Sequence, residues 1–164
     1  MDWYPWIVLV HVLGAFGFVL GHGVSAHAAF QLRGERDRAR VEALLDLSQT
    51  SLWLLYGSLL VLLAAGIAAG FVGGWWGRLW IWTSIGILAV IIAAMYAIAS
   101  PYYMSLRKAL GRPGHEPKEG EPAPAPMTAD QLAADLRSSR PFWLAAIGGL
   151  GLVVIIGLMV LKPF

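Results

Sequence analysis

Cysteine is absent from the 164 residues. That removes disulfides, thiolate nucleophiles and Cys-ligated zinc or iron–sulfur clusters from consideration. Charge is scarce as well, with 13% charged residues against 58% hydrophobic ones. No carboxylate falls deep inside an apolar run: Asp2 precedes the first, and Asp46 stands at the start of the second. A carboxylate proton relay is therefore not expected. Histidine occurs only at His11, His22, His27 and His115, so every apolar run after the first lacks it. There is no P-loop, G-x-S-x-G elbow or paired-carboxylate motif. Long-period repeats are missing too, as is any period-two alternation long enough for a membrane barrel.

What the chain does have is hydrophobic length. Its mean hydropathy is +0.65, too apolar for an ordinary soluble domain. Four apolar runs stand out at about 5–30, 47–71, 79–100 and 141–161, with one long hydrophilic segment at 106–137. The first run has no formally charged side chain from Pro5 to Phe30. As a helix of roughly 26 residues it spans about 39 Å, enough to cross a bilayer with some tilt. It is expected to be retained and not cleaved as a signal peptide, because Asp2 and aromatics stand where a basic n-region would be. The fold expected is all-α: a single polytopic membrane domain, an antiparallel bundle of four transmembrane helices. Short first and second connections favour antiparallel neighbours, and lipid demands that backbone groups pair within each span. In the hydrophilic segment a proline-rich stretch, 111–126, precedes Thr128 and Gln131. That pair has capping-box spacing and predicts a short helix over 129–137.

The sequence pI is about 9.2, but the basic residues flank the apolar runs, so no nucleic-acid partner is expected. Arg78 and Lys162 fall on one side of the predicted membrane. Arg33, Arg36, Arg38, Arg40, Arg107, Lys108, Arg112, Lys118, Arg137 and Arg140 fall on the other. By the positive-inside rule the second side is cytoplasmic. Both termini then lie outside the cytoplasm and the proline-rich loop inside it, as in a multi-pass protein of a bacterial inner membrane.

Glycine in lipid lets helix backbones approach closely. Gly17 with Gly21, and Gly66 with Gly70, have G-x-x-x-G spacing. With Gly149 they are predicted to lie at helix–helix contacts. Tryptophans and tyrosines at the run ends are read as interface belts.

An ionisable side chain inside a membrane is by default a functional candidate. His11 and His22 are separated by eleven positions, which places them about 20° apart around a helix and about 16 Å apart along it. One face of the first span thus carries two imidazoles, while His27 points elsewhere, close to the interface. Two roles stay open for the pair: ligation of a b-type haem or a metal ion, and hydrogen bonds that pin neighbouring helices. Antiparallel spans place His22, Ser25, Tyr56 and Met95 at comparable depth. Tyr56 and Met95 therefore join His11 and His22 as candidate cofactor-binding residues, and Tyr56 is the expected hydrogen-bond partner of His22.

The segment LVHVLGAFGFVLGHGV, with its early histidine and a glycine ten positions later, resembles the opening of the CopD-like and HemJ-like integral membrane proteins. It is closer still to small four-span bacterial proteins related to them, whose third span GRLWIWTSIGILAVIIAAMYAIASPYY resembles. The resemblance covers about a third of the chain and places His11 where HemJ-like proteins have a haem-associated histidine. Trp82 stands where their pattern has a lysine, and Met95 and Tyr96 replace a histidine-bearing segment. Protoporphyrinogen oxidation is accordingly not expected, nor is copper transport from scattered methionines without cysteine. Two functions remain. One is a scaffold or accessory subunit packing through glycine-rich faces against itself or a larger membrane complex. The other is a haem- or metal-binding redox protein using His11 or His22.

Overall fold

The computed structural model describes residues 2–111 and 128–164. The proline-rich stretch and His115 lie outside the described residues. The chain forms α1 (Tyr4–Leu32), α2 (Arg38–Val72), a 3-10 turn (Trp75–Gly77), α3 (Leu79–Ala109), α4 (Ala129–Leu136) and α5 (Arg140–Leu161), with no strand among the described residues. Four helical segments are long and apolar enough to cross a membrane, so the architecture is an all-α bundle of four membrane-spanning helices. The large apolar side chains they leave outward, among them Trp53, Leu60, Phe71, Val90 and Leu150, suit contact with lipid.

The helices lie in the order α2–α1–α5–α3. The most extensive packing joins α1 to α2, then α3 to α5, while α1 touches α5 more sparingly. Although a short turn joins α2 and α3, they are not major packing partners. The α1–α2 seam explains its own length. Gly14, Gly21 and Ala28 are buried at seven-residue spacing, the period that keeps two helices in register. A Cβ on Gly14 would meet the Leu62 backbone at 2.7 Å, and one on Gly21 the Leu55 backbone at 2.8 Å. Gly17 faces the Ser58 hydroxyl. The pattern Gly14–Gly21–Ala28 therefore runs through the seam, with Gly17 beside it. Gly66 faces His11, whereas Gly70 meets Trp76 of the 3-10 turn. Gly149 corrects the expectation: a Cβ there meets nothing, and it is Gly148 and Gly151 that approach α1 and α3, at His22 and Ile91.

Two helices run beyond their apolar cores. α2 starts at Arg38, where the Asp37 carboxylate accepts the Ala39 N–H at 2.8 Å as an N-cap. α3 continues through Pro101, which the sequence places at the exit of the span. Proline removes one ladder bond and crowds the preceding turn. What offsets this is burial beyond it. Tyr102, Leu106 and Leu110 join Ala29, Leu32, Val41, Leu45 and Leu136 in the core cluster at that end. The α4 cap forms as its sequence suggests, with Thr128 and Gln131 exchanging side-chain and backbone bonds. Two buried hydroxyls bond their own helix: Ser84 donates to the Trp80 carbonyl and Ser51 to the Ser48 carbonyl.

The two ends differ in chemistry. At one, the Trp75 indole N–H donates to the Tyr4 hydroxyl, and Lys162 lies over Trp75. Gly74, at φ 68, opens the tight turn there, a left-handed conformation that glycine adopts without steric penalty. At the other, Arg38 donates to the Leu110 carbonyl at 2.8 Å and Arg40 pairs with Glu35.

Candidate functional site

Each of the two histidines on the shared face of α1 meets a different neighbour. Nδ1 of His11 lies 2.8 Å from the Leu62 carbonyl oxygen on α2. A carbonyl only accepts, so the Nδ1 proton is the one donated, and in the neutral ring Nε2 keeps its lone pair. Gly66 makes the contact feasible, because a Cβ there would stand 2.9 Å from both Cε1 and Nδ1 of the ring. The sequence places a glycine one turn after the acceptor, and the imidazole fills the notch.

His22 turns towards α5. Its Nε2 would be 2.7 Å from a Cβ on Gly148, and its ring lies parallel to that of Phe18 with centroids 6.3 Å apart. It is half-buried, and no hydrogen bond reaches it among the described residues. The expected bond to Tyr56 is not formed. Leu55 presents its backbone to Gly21, so Tyr56, one position on and about 100° round the helix, points outward and is 60% exposed. Met95 is half-buried on α3, next to the exposed Tyr96. Histidines 11 and 22 face different helices, and Tyr56 stands on the outer side of α2. The four candidate residues are thus not gathered around one cavity. His27 is exposed and accepts from the Gln31 amide at 3.4 Å. Among the described residues no group of three or more His, Cys, Asp or Glu is placed to hold a metal ion.

The polar cluster that does form is one the sequence only hints at. Ser25 of α1 shares a 2.8 Å hydrogen bond with Ser48 of α2 and lies 3.3 Å from the Tyr103 hydroxyl of α3. The Tyr103 hydroxyl is also 3.3 Å from the Ser25 carbonyl. Three helices are tied at that point. Ser48 belongs to the polar side of the early α2 turns, a visible signal, whereas Tyr103 looks in sequence like an ordinary interface aromatic. Every member is a neutral hydroxyl, which suits helix tethering and supplies no activated nucleophile, since no imidazole or carboxylate bonds to it among the described residues.

Comparison of the chain with family models, with curated proteins and with solved structures gives no match.

Proposed function

We propose that the chain is a small scaffold or accessory subunit that packs with further copies or with a larger complex in a bacterial inner membrane. The supporting observation is a set of helix glycines with nothing opposite them. A Cβ on Gly57 of α2, Gly86 of α3, or Gly149 and Gly157 of α5 would meet no atom within 4 Å. Glycine in a helix interior carries a conformational cost of about 0.5–1 kcal/mol relative to alanine in water. Gly23 of α1 is equally open, whereas Gly14, Gly17 and Gly21 of α1 and Gly148 and Gly151 of α5 are explained by close internal contacts; the five open glycines are explained by the approach of a helix from outside. In this reading the arginine-rich end faces the cytoplasm and both termini lie outside it, on the ten-to-two division of the twelve Lys and Arg.

The test is the mass of the assembly extracted from native membranes in mild detergent. The scaffold reading expects a species larger than the monomer that Gly57→Leu, Gly86→Leu or Gly149→Leu dissociates without lowering the melting temperature. A monomer in native extracts, unaffected by all three changes, would overturn it.

A second reading rests on His11. A ring that donates from Nδ1 to a main-chain carbonyl has the arrangement in which Nε2 serves as an axial ligand. A b-type haem held through that nitrogen would supply one-electron chemistry, in keeping with the resemblance to HemJ-like proteins. His11 is the one residue of the candidate set whose geometry fits, and it would hold the haem through Nε2. Absorbance of protein from haem-replete cells decides: a Soret band lost in His11→Ala supports this reading, and colourless protein removes it.

A further inference from the structure

Of the Lys and Arg side chains among the described residues, only Arg78 and Lys162 belong to the tryptophan-rich end. Both line the same cavity. Trp75, Arg78, Trp80, Lys162, Pro163 and Phe164 line a half-open cavity of about 350 Å³ where the 3-10 turn, the start of α3 and the end of α5 meet. That volume is at the lower end of the range for small-ligand pockets. We propose that this cavity binds a phosphate-ester anion, such as the headgroup of an anionic phospholipid.

Four features of the cavity support it. No carboxylate side chain lines it, and neither Arg78 nor Lys162 forms an ion pair among the described residues. Lys162 instead holds its ammonium 4.3 Å above the Trp75 ring and 5.8 Å from that of Trp80, a cation–π placement that leaves its three donors unpaired by charge. Second, Arg78 is the N-cap of α3, and no side chain caps that end. The Ile81 N–H is bonded to the Arg78 carbonyl, which leaves the N–H groups of Leu79 and Trp80 at the positive end of the helix dipole, next to the lining residues Arg78 and Trp80. Third, the rings of Trp75 and Trp80 stand 6.0 Å apart at 57° and form an apolar wall at interface depth, suited to the glycerol and upper acyl part of a lipid. Fourth, Lys162 adopts φ 44, ψ 57. This left-handed turn is disfavoured for a side-chain-bearing residue, and it folds Pro163 and Phe164 back onto the cavity. An arginine fork, a lysine point charge and free backbone donors together match a tetrahedral oxyanion with several acceptor oxygens.

The experiment uses the full chain in a maltoside detergent, which has no phosphate. Binding of dioctanoyl-phosphatidylglycerol, dioctanoyl-phosphatidylcholine and inorganic phosphate is measured by titration calorimetry. The proposal expects the anionic lipid to bind at least tenfold more tightly than the zwitterionic one. It expects that preference to vanish in Arg78→Gln with Lys162→Gln and to persist in Lys162→Arg, with Arg36→Gln as the control. Competition by millimolar inorganic phosphate, at an affinity equal to the lipid's, would identify a soluble phosphate as the source and leave the oxyanion chemistry standing. Equal binding of the two lipids by the wild-type chain would overturn the proposal, as would undiminished phosphatidylglycerol binding by the double variant. The wild-type comparison needs no variant, so a folding failure in the double variant leaves it decisive.

Discussion

His11 and Gly66 form a fitted pair: the ring of the one occupies the space where the other has no side chain, with Cε1 and Nδ1 2.9 Å from where a Cβ would stand. The fit sets the bond from Nδ1 to the Leu62 carbonyl one turn earlier. Gly66→Ala should push the ring aside and destabilise the protein by about 1–2 kcal/mol, the sum of a crowded contact and a lost hydrogen bond. His11→Leu should cost a similar amount. Because both changes break the same bond, the double variant should lose less than their sum. Thermal melting of the four proteins in detergent measures the coupling, and strictly additive losses would show that the bond contributes nothing.

Glycines of one seam should not be equally sensitive. Gly14 and Gly21 face main chain of Leu62 and Leu55, which has nowhere to go, while Gly17 faces a rotatable Ser58 hydroxyl. Alanine at 14 or 21 should cost about 1–3 kcal/mol, as overpacking does. Alanine at 17 should cost less, and alanine at 149 nothing measurable. A different rank order in melting temperature would contradict the α1–α2 register.

Adjacent tyrosines give opposite expectations. The Tyr102 hydroxyl is buried with no hydrogen-bond partner among the described residues, whereas that of Tyr103 reaches Ser25. Tyr102→Phe should be neutral or stabilising, since it removes an unsatisfied polar group from the core. Tyr103→Phe should lose about 0.5–1.5 kcal/mol, the net worth of an ordinary hydrogen bond. Melting curves of the two variants side by side check both.

Acid should loosen the α1–α2 connection. The Glu35 carboxylate accepts the backbone N–H groups of Asp37 and Arg36, and these bonds, with the nearby Arg40 guanidinium, hold it below the usual carboxylate range. A carboxyl with a depressed folded-state pKa contributes stability that is present above its unfolded pKa. That contribution disappears as pH falls through the folded value. In Glu35→Gln the fall in melting temperature between about pH 5 and pH 2 should be shallower than in the wild type. Parallel curves would show that the turn does not depend on this charge.

Hydropathy alone made the four spans visible, because a helix that must pair its backbone in lipid needs a long uncharged run. Ends were harder to read. Val41 and Leu45 extend α2, and Tyr102 and Leu106 carry α3 past Pro101, since burial at the arginine-rich end outweighs polar or helix-breaking local sequence. Azimuth on a single helix was readable too: both His11 and His22 are half-buried. Which neighbour each meets was not readable, because that depends on α1 lying between α2 and α5. Tyr56 shows why. Its depth matched His22, but depth does not choose a face, and the face of α2 turned to α1 carries Leu55, Ser58 and Leu62.

The order α2–α1–α5–α3 has a consequence for how the protein is made. The whole α1–α2 seam belongs to the first 72 residues, so that hairpin can close as soon as it leaves the ribosome. The helix that supplies Gly148 starts only at Arg140. Until it arrives, the side of α1 bearing His22 has no α5 against it. α5 is the helix that covers that imidazole, so His22 stays unshielded while α2 and α3 are made and is covered only when α5 packs beside α1.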